Sequence, residues 1–405
     1  MRAYVRRTVR TGLAVAAATA VMAGNVSAAH AASPAGTGED HAAVQRIMDR
    51  VVEEHGIPGM IAEVRDGEQR WIGKAGVSDL KTGRERAINE RVRVGSATKT
   101  FTGALILRLE AAGKLSLDDT VEKWLPNVVK GNGNDGSKIS VRLLLNQRSG
   151  LRNPYLTQPL ADMISSPAWY PRRFDWYPLE KVVKHGMELK PYKPNERFIY
   201  SNVNYFLLAM IAEKATGKSY ATLIKEQIAK PLGLTGTYMP ERNDMRIHGP
   251  HPRHYSKLWA WLEDPNAKIY DVTENNAATA GAAGGMVSTL PDLNKLTRAL
   301  AAGTFLPPKQ HKEMWTTIST ADALPAEQWL PNTKYGTGVH DLKLTCGVTV
   351  HSTGGMFNGS YTYAMSSRDG KHSLAINMNG DWAKDKTEHP VNWLIEAATA
   401  EFCGE

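Results

Sequence analysis

The sequence predicts an α/β (α+β) fold: a mainly antiparallel sheet flanked by N- and C-terminal helices, with an all-helical lobe inserted between its halves. Three observations lead there. Strand-like runs cluster at both ends of the chain, near 60–76 and again after 335. Runs with helical periodicity, at 41–54 and 391–402, stand outside those strands. The middle reads as helices joined by proline- and aromatic-rich connections. The expected division is an α/β lobe over about 41–113 and 280–405 and a helical lobe over about 114–279. With 42% hydrophobic and 22% charged residues in 405, the composition is globular and supplies a large core.

Taken in order, residues 1–31 read as an export signal. Arg2, Arg6, Arg7 and Arg10 form a basic start, Leu13 to Ala23 an apolar stretch too short to span a membrane, and Ala29-His30-Ala31 a cleavage site. Arg6-Arg7 hints at twin-arginine export, but its flanks fit the ordinary secretory route better. A secreted protein on the cell-envelope side is expected, with no stable membrane anchor. The signal carries four arginines and no acids, so the formal charge of +8 falls to +4 (8 − 4) in the mature chain. No Lys/Arg block stands out, which argues against nucleic-acid binding. Cys346 and Cys403 are the only cysteines, and in an oxidising compartment an even pair reads as one disulfide tying the last strands to the C-terminal helix.

Residues 41–54 carry apolar positions at Val44, Ile47, Met48 and Val51, and the run ends at Gly56. Met60 to Val64, Asp66-Gly67 and Arg70 to Gly76 read as a hairpin. A turn at Val94-Gly95-Ser96 then opens a helix with apolar residues from Phe101 to Leu109, stopping at Gly113. Short helices are expected near 121–126 and 139–146, and strong ones at 204–216 and 220–228. Residues 240–280 read as a long polar connection. A helix over 292–302 follows, then strands near 335–339, 346–350, 361–365 and 373–378.

Three constellations carry chemistry. Ser96 and Lys99 lie three apart at a helix start, on one face and within reach of each other. A serine hydroxyl becomes a nucleophile when a base takes its proton, and a lysine serves as that base if burial keeps it neutral. Tyr200 and Asn202 follow an extended segment and precede a helix, which presents both from one loop: a phenol to pass a proton and an amide to hold a carbonyl. His351 to Gly355 follows an apolar strand, and its glycines let a ligand approach the backbone. Taken singly, each has a plainer reading as a cap, a core tyrosine or a glycine-rich strand. His248, His251 and His254 have metal-like spacing but sit in a proline-rich loop, where solvation is the simpler account.

In this order, Ser96-x-x-Lys99, Tyr200-x-Asn202 and a late Thr/Gly strand resemble the serine β-lactamase and penicillin-binding-protein superfamily, in particular its class C-like group. The stretches 114–119, 143–151, 284–289, 335–338 and 344–404 are similar to those of secreted D-alanyl-D-alanine carboxypeptidases. The resemblance implies a β-lactamase/transpeptidase-like fold, with Ser96 acylated, Lys99 accepting its proton, Tyr200 relaying a proton to the departing amine and Asn202 binding the acyl-side amide. It implies no metal or organic cofactor. A monomer acting on a peptidoglycan-type peptide or a β-lactam is the expectation, and D-Ala-D-Ala carboxypeptidase the favoured activity. β-Lactamase, esterase and D-amino-acid peptidase activities share the same chemistry. The third motif departs from the family's pattern: Thr353-Gly354-Gly355 stands where a Lys or His, then Thr or Ser, then Gly is usual. His351, two residues earlier, is the candidate replacement cation. A protein that only binds or senses the ligand is the alternative that this departure raises.

Overall fold

The structure is a computed structural model that describes residues 41–156, 160, 166–323, 330 and 332–404. The segment read as an export signal lies outside the described residues. Nine antiparallel strands form one sheet: β1 (Gly59–Asp66), β2 (Gln69–Asp79), β3 (Arg84–Glu85), β4 (Ile318–Ser319), β5 (Thr333–Tyr335), β6 (His340–Lys343), β7 (Thr349–Phe357), β8 (Ser360–Ser366) and β9 (His372–Met378). Their order is β4-β5-β6-β7-β8-β9-β1-β2-β3. The N-terminal hairpin thus completes the C-terminal sheet, β1 pairing with β9 from Met60↔Met378 to Asp66↔His372.

The sheet is covered on both faces. Helix α1 (Ala42–His55) ends at Gly56 in the left-handed region, whose N–H caps Val52 O. Its buried stripe of Val44, Met48 and Val51 packs with Trp393, Leu394 and Ala397 of α5 (Pro390–Cys403) on one face. The alternate strand positions Met60, Ala62 and Val64 point into this layer. The other face meets α2 (Thr98–Ala111) and α4 (Leu290–Ala301). Helix α2 is buried almost all round, as expected for an apolar helix between two layers. Beyond it lies the helical lobe, centred on α3 (Asn202–Thr216), where Val203, Phe206, Leu207, Leu208 and Ile211 are buried.

Two expectations need correction. The 240–280 connection is not a solvated loop. His254, Ser256, Trp261, Val272 and Thr273 are buried, and Tyr255–Ser256 pairs with Tyr270–Asp271. Its polar groups are met by partners: Thr273 Oγ1 accepts from His254 N and donates to Asp271. The strand expected over 346–350 begins later and runs further. Cys346 occupies the β6–β7 turn, and β7 continues through the glycines to Phe357 because β8 pairs with it as far as Phe357↔Ser360. Cys346 is bonded to Cys403, which pins that turn to the end of α5. Among the described residues no helix is long and apolar enough to cross a membrane.

Candidate active site

Ser96 sits in a single 3-10 turn, Gly95–Ala97, that runs directly into α2. Gly95 has φ +53°, and a Cβ there would stand 2.3 Å from Met356 O. Gly355 approaches from the other side: a Cβ on it would lie 2.1 Å from Ser96 N. Only two glycines allow β7 and the serine turn to touch backbone to backbone. The β6 ladder on β7 stops at His340↔Ser352, so the 353–357 stretch is paired on the β8 side. The Ser96 amide, at the start of α2, also carries the positive end of the helix dipole.

Lys99 lies one turn behind the serine, 1% exposed. Its Nζ is 3.1 Å from Ser96 Oγ, 2.8 Å from Asn202 Oδ1 and 2.7 Å from Ala283 O. These three contacts determine its chemistry. A carbonyl and an amide oxygen can only accept, so they take the two N–H bonds of a neutral amine. The lone pair is then left facing the one partner able to donate, the serine hydroxyl. Burial holds the ammonium form of Lys99 well below the usual lysine range, which is the condition for that state.

Tyr200 is hydrogen-bonded to Ser96, and burial pushes its phenol well above the usual tyrosine range; neighbouring Tyr335 adds to this, while the Ser96 contact acts the other way. Tyr200 is therefore a neutral hydroxyl that hands on protons. The base is Lys99. Asn202 is the first residue of α3, so its side chain projects from the helix start toward Lys99.

The structure thus brings together Ser96, Lys99, Tyr200 and Asn202 from α2 and the loop before α3. The third motif is arranged differently. Thr353 is buried at 2% exposure and its Oγ1 lies 2.5 Å from Thr100 Oγ1, which donates to Gly338 O. Gly354 turns to the opposite face, where a Cβ would strike the ring of Tyr363. Gly355 abuts Ser96. His351 is held by Asp341, Nδ1 to Oδ1 at 2.7 Å, and stacks on Trp315 with centroids 3.6 Å apart. That imidazole is committed to the β6 side of the strand. His248 and His251 bond to Asp244 and to Gly249 O, and His254 is buried; among the described residues no three or more His, Cys, Asp or Glu side chains form a metal-holding group.

Several participants escaped the sequence. Ala283 contributes only a carbonyl, which no residue type announces. Tyr205 is different: it lies three residues after Asn202, hence on the same face of α3, and its ring centroid is 5.6 Å from Lys99 Nζ. Its hydroxyl donates to Leu145 O at 2.8 Å and meets Tyr335 OH at 3.3 Å.

Comparison with known proteins agrees with this geometry. The chain is 29% identical over 243 residues to Penicillin-binding protein 4* of Bacillus subtilis (strain 168), covering 56% of this chain and 50% of that one. It is likewise 29% identical over 213 residues to Protein flp of Staphylococcus aureus (strain N315), covering 52% and 41%. The chain thus spans half or less of the length of these curated relatives. Among solved structures it resembles a D-stereospecific amidohydrolase from Streptomyces sp., with 40% identity, TM-score 0.79 and coverage of 90% of this chain and 99% of that one. A D-amino acid amidase from Ochrobactrum anthropi SV3 superposes with TM-score 0.73, 26% identity and coverage of 90% and 98%. The model of the Beta-lactamase family matches residues 44–397. With that match across most of its length, the chain belongs to the β-lactamase and penicillin-binding-protein family of serine hydrolases.

Proposed function

We propose that this protein is an exported serine hydrolase that cleaves amide bonds on the carbonyl side of D-amino acids through an acyl-enzyme on Ser96. The observation that carries the chemistry is the three-acceptor seat of Lys99. As Ser96 Oγ attacks the carbonyl carbon, its proton passes to Lys99 Nζ. The oxyanion forms beside the Ser96 amide and the Gly355–Met356 backbone, where peptide N–H groups and the start of α2 favour negative charge. The C–N bond then breaks, the departing amine taking a proton from the Tyr200 hydroxyl and Tyr200 regaining one from the Lys99 ammonium. Water attacks the ester by the same route in reverse, with Lys99 as its base.

The acyl donor follows from what the third motif lacks. A carboxypeptidase has a terminal carboxylate to hold, and a buried or half-buried carboxylate calls for a cation. Thr353 supplies none, and His351 is occupied by Asp341. An amidase, whose leaving group is ammonia or an amine without that carboxylate, needs no such contact. The names of the Streptomyces and Ochrobactrum proteins favour the same direction. D-Alanyl-D-alanine carboxypeptidase is thus the narrower reading and D-amino-acid amidase the one better supported. The Cys346–Cys403 bridge supports an oxidising, extracytoplasmic location.

The test is a rate comparison on D-amino-acid amides, their L-enantiomers, and a D-Ala-D-Ala peptide with free or amidated C-terminus. D-amides should be preferred, and the free carboxylate should give no advantage. A tenfold or larger preference for the free carboxylate would restore the carboxypeptidase reading. No mass adduct on Ser96 with any amide, ester or β-lactam would favour the binding-protein alternative.

A further inference from the structure

The geometry points to Tyr205 as a positioning residue for the base: its ring face seats the ammonium that Lys99 becomes when it takes the proton of Ser96. The inference rests on the acyl-enzyme reading above and adds a residue to it. A lysine kept neutral by burial solves the first half of the reaction, since it leaves a lone pair for the hydroxyl. It creates a difficulty for the second half, because the same dry surroundings oppose the charge that arrives with the proton. Three oxygens around Nζ answer part of that difficulty. The aromatic surfaces answer the rest. Nζ lies 4.7 Å from the Tyr200 ring centroid and 5.6 Å from that of Tyr205, within the range at which a ring face attracts a cation.

The two rings differ in what else they do. Tyr200 bonds to Ser96 and passes protons, so its position follows the reaction. Tyr205 is fully buried and fixed at its far end: its hydroxyl donates to Leu145 O and meets Tyr335 OH. Tyr335 in turn sets its ring edge-on to Tyr200, with centroids 6.3 Å apart and planes at 82°. The main chain closes the other side. A Cβ on Gly338 would stand 2.3 Å from Lys99 O and 3.2 Å from Tyr205 OH, so the lysine backbone and the tyrosine tip are packed against one peptide. Asn202 and Tyr205 stand one helical turn apart on α3 and face the same nitrogen, one with an amide oxygen and the other with a π face. The titratable side chains facing Nζ are Tyr200 and Tyr205, with Tyr335 behind them.

The experiment keeps the ring's shape and changes its electrons. Tyr205→Phe retains the face and loses only the hydroxyl contacts. A ring-fluorinated phenylalanine at the same position keeps that shape with the face's negative potential withdrawn. Ser96 acylation is followed against pH by stopped-flow with an activated ester, so that D-amide specificity plays no part. Tyr205→Phe should keep the acidic limb of the parent. The fluorinated variant should move that limb to lower pH by about half a unit or more, with a plateau roughly three- to thirtyfold slower, because the ammonium is less stabilised. Tyr205→Leu should show the same direction if it folds. A limb unmoved by fluorination would overturn the inference while leaving the acyl-enzyme intact. Absence of acylation in the parent would overturn the function itself, a different outcome.

Discussion

Lys99 Nζ and Asn202 Oδ1 meet at 2.8 Å across the boundary between the sheet layer and the helical lobe. The contact joins a base on α2 to the first residue of α3, so the two lobes share one polar bond at the reacting centre. It also makes the charge state of Lys99 depend on a single neutral oxygen. Asn202→Asp places a carboxylate there. Burial alone now lowers the pKa of Lys99, and an adjacent anion raises it again. The acidic limb of acylation should move to higher pH, and the rate at pH 7 should fall by roughly ten- to a hundredfold. Stopped-flow acylation across pH 5–10 measures both.

Tyr200→Phe separates the attack from the expulsion of the amine. The phenol is held protonated by burial and bonded to Ser96. Its loss should slow turnover of an amide by about 10²–10³-fold, the usual weight of a positioned general acid. A nitrophenyl ester, whose leaving group needs no proton, should lose less than about tenfold. The ratio of the two rates is the readout.

Gly355→Ala should abolish acylation. The added carbon would stand 2.1 Å from Ser96 N and 2.5 Å from Val94 O, both backbone atoms that cannot rotate away. Strand and serine turn must separate, and the backbone surface for the oxyanion is lost. A fall of at least about 10²-fold in acylation is expected, as for loss of an oxyanion donor. Stopped-flow acylation with an activated ester checks it.

His351→Gln should cost stability and spare catalysis. The histidine bridges to Asp341 and covers Trp315, and both contacts are buried or half-buried. Urea unfolding should show a loss of about 1–3 kcal/mol, with acylation within threefold of the parent. A large rise in KM confined to carboxylate-bearing substrates would instead make His351 their ligand.

Asp381 gives a pH dependence of known sign. Burial raises its carboxyl from 3.8 to about 6, against the donors Ser256, Gly359 N and Lys257 N. The folded state therefore binds the proton more tightly than the unfolded chain. The stabilisation is complete below about 3.8 and is lost as pH rises through about 6. Asp381→Asn removes this term, so urea midpoints of the two proteins should diverge between pH 4 and 6. The parent should lose roughly 3 kcal/mol relative to the variant.

Much of this was legible in the sequence because it is local. The Ser96–Lys99 spacing, the glycine ends of α1 and α3 and the β1–β2 hairpin each follow from a few adjacent residues. What escaped was set by contacts far apart in the chain. The extension of β7 through Gly354 and Gly355 depends on β8, and the burial of 254–273 on the packing around it. Tyr205 shows the boundary. Its place on the face of Asn202 was open to helical arithmetic, yet only the meeting of α2 with α3 puts a cation over it.

The pairing of β1 with β9 carries a consequence for how the molecule is made. A hairpin within the first 80 residues finds its neighbour only among residues 372–378, so its ladder cannot close until nearly all the polypeptide has emerged. Contacts of such long sequence separation slow folding, because a large loop must be ordered before they repay it. Until that moment the edge of the early hairpin stays unpaired and adhesive, a state better suited to threading through a translocase than to accumulating beside a ribosome.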